Sequence, residues 1–342
     1  MPSDDLQAVT FMEDLFHGHI SLERTPDGLK PWRIPYWERD LYPPKDFLDR
    51  AESAAGVRLR FRTDAEVVAL DVDTAVAGRY DCLVEGRRVA SEKLEPGPAT
   101  VRFTLPPGEK SVEVYLPQNS AVTVRRLAHS PGASLLPDPD RRPRWTTYGS
   151  SITQCGGADG PSETWPAIVA RSCGFNLTCL GFGGHCHLEP MLARLIRDTP
   201  ADVISLCLGI NVYGHGSLGA RTFKPAVIGL IKTIREKHPG TPIGVISPIA
   251  SPPRETKPNG VGLTLEWMRA EIQDAVERLQ RLGDDRLVYV NGLDVMNVEE
   301  AQVHMPDLLH PDATGYRLMA ERIERLLFSH PLFAQRAGAK TA

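Results

Sequence analysis

The chain predicts an all-β sandwich followed by an α/β domain whose parallel sheet carries helices on both faces. Three observations predict it. Apolar residues alternate with period two across residues 56–128. A proline-rich, charged stretch without periodicity follows at 131–143. Beyond it, short buried runs alternate with helix-period segments. The expected layout is a jelly-roll-like sandwich over residues 1–135, a linker at 136–143 and the α/β domain over 144–335.

The first ~55 residues carry no clear period and are rich in proline. They hold Trp32, Tyr36, Trp37 and Tyr42, which either line a ligand surface or pack the sandwich or the domain interface. The strands of the sandwich are more legible. Val57, Leu59 and Phe61 alternate with Arg58, Arg60 and Arg62, and Val68, Leu70 and Val72 alternate with Ala69 and Asp71. The same period links Val101, Phe103 and Leu105, then Val112, Val114 and Leu116, then Val122 and Val124. Glu85-Gly86 and Pro106-Pro107-Gly108 supply turns, so short antiparallel strands should stack.

In the second domain, Trp145 to Tyr148, Ala201 to Leu208, Ile243 to Ile246 and Leu287 to Val290 read as buried strands. Between the last two, Leu265, Met268, Ile272, Val276 and Leu279 recur at spacings of three and four. Thr264 is the expected N-cap of that helix and Gly283 the residue that ends it.

Composition narrows the function classes. A net charge of -4 with interspersed signs offers no basic face for phosphate backbones, so nucleic acid is not an expected partner. The N-terminus, MPSDDLQAVTFMEDLF, is acidic where a secretory signal is basic. No segment approaches ~18 uninterrupted apolar residues, so the expectation is a cytoplasmic protein without membrane partners. Cys82, Cys155, Cys173, Cys179, Cys186 and Cys207 are irregularly spaced, which fits free buried thiols. His185-Cys186-His187 lacks a second ligand pair elsewhere, so no metal and no cofactor are expected.

The chemistry concentrates at two places. In a doubly wound sheet ligands bind at the carboxyl ends of the strands, and the first expected strand of the second domain ends at Gly149-Ser150-Ser151. Ser151 therefore stands where a strand turns into a helix, with backbone N–H groups able to face a developing charge. A serine hydroxyl is inert until an imidazole takes its proton and a third group holds that imidazole. Asp307-Leu308-Leu309-His310-Pro311 supplies both helpers on one short turn. Taken singly, Gly184 reads equally well as a turn glycine, Asn211 as a loop-capping amide and Asp307 as a helix cap.

Taken together, four segments resemble the SGNH hydrolase family. Tyr148-Gly149-Ser150-Ser151-Ile152-Thr153 resembles its GDSL motif, and Gly181-Phe182-Gly183-Gly184 its glycine block. Gly209-Ile210-Asn211 resembles its asparagine block, and Asp307-Leu308-Leu309-His310-Pro311 its terminal Asp-x-x-His. The motifs arrive in order and span about residues 144 to 330. The resemblance implies a flavodoxin-like SGNH-hydrolase domain with Ser151 as nucleophile, His310 as base and Asp307 as its orienting carboxylate. It also implies an oxyanion hole built from the Ser151 N–H, the Gly184 N–H and the Asn211 side-chain amide.

Two positions depart from the commoner family pattern: Ser150 replaces the aspartate before the nucleophile, and Val212 follows Asn211 where many members carry aspartate. His185 and Tyr213, with His187 and His215 near them, are the expected pocket residues. The sandwich ahead of a GSSIT-type motif resembles the subgroup that includes the salicylyl acyltransferase of tetracycline biosynthesis, and is similar to sandwich-bearing carbohydrate esterases. The expected activity is a serine acyl esterase or acyltransferase. A small ester or thioester would donate the acyl group to Ser151, and water or an alcohol would take it away. A competing reading is a non-catalytic protein that binds glycan or natural product and carries a relic hydrolase domain. Metal-dependent phosphoester hydrolysis would need clustered carboxylate and histidine ligands, which the sequence does not group.

Overall fold

A computed structural model describes residues 6–337, which fall into two compact units: 6–141 with Gly160–Ser162, and Arg142–Asp159 with residues 163–337. The first unit begins with β1 (Gln7–Ala8), β2 (Phe16–His17), β3 (Ser21–Thr25), β4 (Gly28–Trp32) and the helix α1 (Lys45–Glu52). It continues with β5 (Arg58–Thr63), β6 (Val67–Thr74), β7 (Gly78–Val84), β8 (Arg87–Leu94), β9 (Gly97–Thr104), β10 (Lys110–Tyr115), β11 (Val122–His129) and β12 (Leu135–Pro137). One antiparallel sheet runs β3-β4-β11-β6-β9 with β1 added to β11, and the other runs β12-β5-β10-β7-β8 with β2 added to β5.

The alternating residues of both sheets share one core. Leu59, Phe61, Leu70, Val72, Val101, Phe103, Val112, Val114, Val122 and Val124 are all buried in it. The turn at Glu85-Gly86 joins β7 to β8 with positive φ at both residues, 48° and 76°, the backbone a two-residue hairpin needs to match strand twist.

Two details of the sequence reading change. Alternation would turn Arg58 outward, yet it is 1% exposed. Its guanidinium donates to Asp140 Oδ2 at 2.8 Å and lies over the Tyr115 ring, while Arg60 pairs with Asp138 at 2.7 Å. The stretch expected as a linker therefore opens as strand β12 on β5 and then supplies counter-charges to the β5 arginines. Its prolines and aspartates read as a linker because a three-residue edge strand leaves no period. Among the early aromatics, Trp32 and Tyr42 are buried, the former donating to Glu23 and the latter stacked on Phe47, whereas Trp37 is 68% exposed.

The second unit contains β13 (Arg144–Gly149), α2 (Ser151–Gln154), α3 (Trp165–Ser172), β14 (Asn176–Gly181), α4 (Pro190–Asp198), β15 (Val203–Cys207), α5 (Ile210–His215) and α6 (Phe223–Arg235). After these come β16 (Ile243–Ile246), α7 (Leu265–Arg281), β17 (Leu287–Val290), α8 (Gly292–Val295), α9 (Val298–His304), α10 (Ala313–Ile323) and α11 (Pro331–Ala334). The parallel sheet has order β14-β13-β15-β16-β17. Strand order reverses at β13, which makes its carboxyl end the switch point of the sheet. Helices α4, α6 and α7 pack in succession, and α3 packs with α10, as right-handed crossovers from that order require.

Helix α7 has Thr264 at its N-cap, accepting the Trp267 N–H, and buries Leu265, Met268, Ile272, Val276 and Leu279. Strand β14 is not among the runs read from the sequence, because Asn176 and Thr178 break its apolar pattern. No helix among the described residues is long and apolar enough to cross a membrane.

Candidate active site

Helix α2 is a single turn wedged against two strand ends. A Cβ on Gly149 would lie 2.1 Å from Thr153 Oγ1, and one on Gly181 would lie 2.4 Å from the Gln154 nitrogen, so both glycines serve close approach. Ser150 is the N-cap of this turn, its Oγ accepting the Ile152 N–H at 3.2 Å. That is a task aspartate can also perform, which accounts for serine at this departure from the family pattern. Ser151 is thus the first residue of a helix, where backbone N–H groups have no partner within the helix.

Three side chains converge there. Ser151 Oγ lies 2.8 Å from His310 Nε2, and His310 Nδ1 lies 2.6 Å from Asp307 Oδ2. The other oxygen, Asp307 Oδ1, accepts the backbone N–H groups of Leu309 at 3.0 Å and His310 at 2.7 Å. Burial pushes the Asp307 carboxyl up, but the His310 ring and those backbone donors outweigh it and hold it below the usual carboxylate range. An ionised Asp307 fixes the proton on Nδ1 and leaves Nε2 to face the serine.

The glycine loop after β14 is held at several peptides. Gly183 N–H donates to Gln154 Oε1 at 2.9 Å, and a Cβ on Gly183 would stand 3.4 Å from Ser151 Cβ, so this backbone runs beside the serine. Gly184 has φ of 82° and its carbonyl accepts from His187 Nε2 at 2.9 Å. The Cys186 N–H donates to Asn211 Oδ1 at 3.0 Å. With Oδ1 so engaged, Asn211 is oriented with its NH2 group as the end able to donate elsewhere.

The expected pocket residues divide. Tyr213 is buried, its hydroxyl donating to the Lys257 carbonyl at 2.9 Å, so it secures the 257–263 loop to α5. The His185 ring is half-buried with an edge against His187. His187, whose Nε2 must carry the proton for the Gly184 carbonyl, accepts the Ser217 hydroxyl on Nδ1 at 2.8 Å, and His215 packs perpendicular to it at 5.0 Å. Burial, followed by His215, lowers its pKa and favours the neutral ring. Cys186 is buried with its thiol toward the Cys207 carbonyl, and burial pushes that thiol up. Among the described residues no group of three or more His, Cys, Asp or Glu is placed to hold a metal ion. Val212, at the other departure, is fully buried.

Two residues that the motifs do not include reach the His310 turn. Ser251 Oγ donates to the Leu308 carbonyl at 2.6 Å, and Arg254 Nη1 donates to Ser251 Oγ at 2.8 Å. The Ser251 N–H is in turn held by Glu255, which pairs with the buried Arg269. Their place in the sequence, directly after a strand on the side where an α/β sheet binds ligands, was the available signal.

The family model for GDSL-like lipase/acylhydrolase matches residues 147–318, and a model for the SsfX3 N-terminal domain matches residues 15–125. Among solved structures, the chain is similar to the salicylyl-acyltransferase SsfX3 from a tetracycline biosynthetic pathway. Identity is 32% and the TM-score 0.90, covering 96% of this chain and 99% of that one. A Bacteroides ovatus ATCC 8483 structure described as a GDSL-like lipase shares the fold at 21% identity and TM-score 0.74, over 94% of this chain and 98% of the other. So does a family two carbohydrate esterase from Clostridium thermocellum, at 17% identity and TM-score 0.65, over 81% and 93%. No curated protein matches the chain in sequence.

Proposed function

The chain belongs to the GDSL-like lipase/acylhydrolase family, and from that premise we propose that it forms an acyl-Ser151 intermediate from a small ester or thioester and passes the acyl group to an alcohol or to water. It is a serine ester hydrolase or acyltransferase; the residue roles and the acceptor are the parts proposed.

Ser151 Oγ bonds to the carbonyl carbon as His310 Nε2 takes its proton, and the carbonyl electron pair moves onto oxygen. The N–H groups of Ser151 and Gly184 and the Asn211 amide stabilise that oxygen, and ionised Asp307 offsets the imidazolium charge. Collapse of the adduct expels the alkoxide or thiolate, which His310 protonates. The neutral ring then takes a proton from the incoming alcohol or water, the new oxygen bonds to the acyl carbon, and Ser151 leaves with its proton restored. The observation that carries this reading is the continuous line from Ser151 Oγ through His310 to Asp307, at 2.8 and 2.6 Å. The chain-wide similarity to an acyltransferase supports transfer to an alcohol as one outcome of the second half-reaction.

Intact-mass analysis after treatment with a fluorophosphonate tests the first half. The wild type should gain one adduct and Ser151→Ala none; equal labelling of the two would sink the proposal. Loading with acyl thioesters and chasing with alcohols then tests the second half, because a transferase releases its acyl group faster when the accepted alcohol is present.

A further inference from the structure

A groove of about 590 Å³ runs between α4 and α6, lined by His187, Leu188, Glu189, Ala193, Leu218 and Gly229 among others. We propose that it receives the acyl substituent of the substrate and selects uncharged, largely apolar acyl groups larger than acetyl. This inference rests on the reading of Ser151 as the nucleophile.

Gly183 runs beside Ser151, the adjoining Gly184 carbonyl accepts from His187, and His187 lines the groove. Of the four substituents on the tetrahedral carbon, one is Ser151 Oγ, one is the oxyanion, and the leaving group must stand where His310 Nε2 can protonate it. The acyl substituent takes the remaining direction, away from His310. No residue of the Asp307–Pro311 turn lines this groove, whereas Leu309 lines a second cavity beside Ser150 that holds about 30 Å³, room for a water or two.

The lining states the chemistry. Leu188, Pro190, Leu218 and Leu230 give an apolar wall, and among the described residues no lysine or arginine lines the groove to balance an anionic acyl group. The ionisable groups there are Glu189, which burial pushes toward its neutral form, and His187, which burial holds neutral. The volume lies within the range of small-molecule pockets and far exceeds what a methyl group fills.

Gly229 borders the groove on its α6 side. It stands in the middle of α6, where glycine weakens a helix relative to alanine, and a Cβ added to it meets nothing within 4 Å. Gly229 is exposed, so the space beside it opens to solvent along the groove, and a larger side chain there would reach into it.

The test uses the purified full chain with 4-nitrophenyl acetate, hexanoate and benzoate. The wild type should favour hexanoate and benzoate over acetate in kcat/KM, and Gly229→Phe and Ala226→Phe should each lower the hexanoate-to-acetate ratio by on the order of tenfold or more. Gly229→Ala should raise the thermal midpoint, and the midpoints of the phenylalanine variants report whether they fold. A wild type that prefers acetate, or a ratio unchanged in both folded phenylalanine variants, overturns the groove assignment. Fluorophosphonate labelling separates the two levels: Ser151 labelled while the ratio fails to move refutes the groove alone, and Ser151 unlabelled in the wild type refutes the nucleophile and the groove with it.

Discussion

Ser251 Oγ holds the Leu308 carbonyl at 2.6 Å, and through that bond a residue outside the sequence motifs sets the turn that presents His310. Leu308 has φ of 57°, a left-handed conformation that costs a non-glycine residue about 1–2 kcal/mol and persists where its surroundings impose it. Ser251→Ala removes the restraint and should lower kcat on the order of tenfold while changing KM little, since misplacing His310, the proposed base, would be costly to the chemical step. Steady-state kinetics read this directly. An unchanged kcat would mean that the Asp307 contacts alone fix the turn.

Asn211 should matter through its NH2 group. Asn211→Ala should reduce kcat by about 10²–10³-fold, the usual cost of one oxyanion donor. Asn211→Asp should be at least as damaging, because a carboxylate donates nothing and repels the developing charge. Kinetics of both variants, with fluorophosphonate labelling to show that Ser151 is still present and exposed, distinguish this role from simple packing.

His187 Nε2 donates to the Gly184 carbonyl, and the role proposed for the ring is to position that peptide. His187→Ala should lower kcat about fivefold, the worth of one hydrogen bond. His187→Gln, whose amide nitrogen can reach the same carbonyl, should recover most of the loss. A glutamine variant as slow as the alanine variant would argue that the ring packs against His215 and does not orient the loop.

Stability should fall in mild acid. Burial, with Arg58 next in effect, lowers His17 and His19 from 6.5 to about 4, and His17 Nε2 and His19 Nδ1 find no hydrogen-bond partner among the described residues. The folded state keeps both rings neutral while the unfolded chain binds protons below about 6.5, so unfolding takes up protons and stability rises with pH. The contribution is intact above pH 6.5 and is lost as pH falls toward 4. Denaturant unfolding at several pH values should show this slope, and His17→Gln with His19→Gln should flatten it.

Much of the site was legible because each of its motifs is local. The turn after β13 needs glycines where α2 crowds the strand ends, and Asp307 and His310 are close enough in sequence for one turn to present both. The strands of the sandwich were legible for a similar reason, since a core on one face imposes period two on Leu59, Phe61, Val112 and Val114. The pattern failed where burial had another cause. Arg58 is inside because Asp140 meets its charge there, and no local rule announces a partner about eighty residues away in the chain.

The sequence by itself determined the two kinds of domain, the strands and the helix that carry clear periods, and which residues could act as nucleophile, base and oxyanion donors, because those depend on periodicity and on chemistry held within short turns. Tertiary structure decided what those residues rest on and what lies beside them. Ser251 and Arg254 come to the His310 turn, Gln154 to the glycine loop, and α4 and α6 leave a groove next to it, through the order in which parallel strands pair. That order joins segments far apart in the chain, and nothing in the spacing of either segment records where the other will lie.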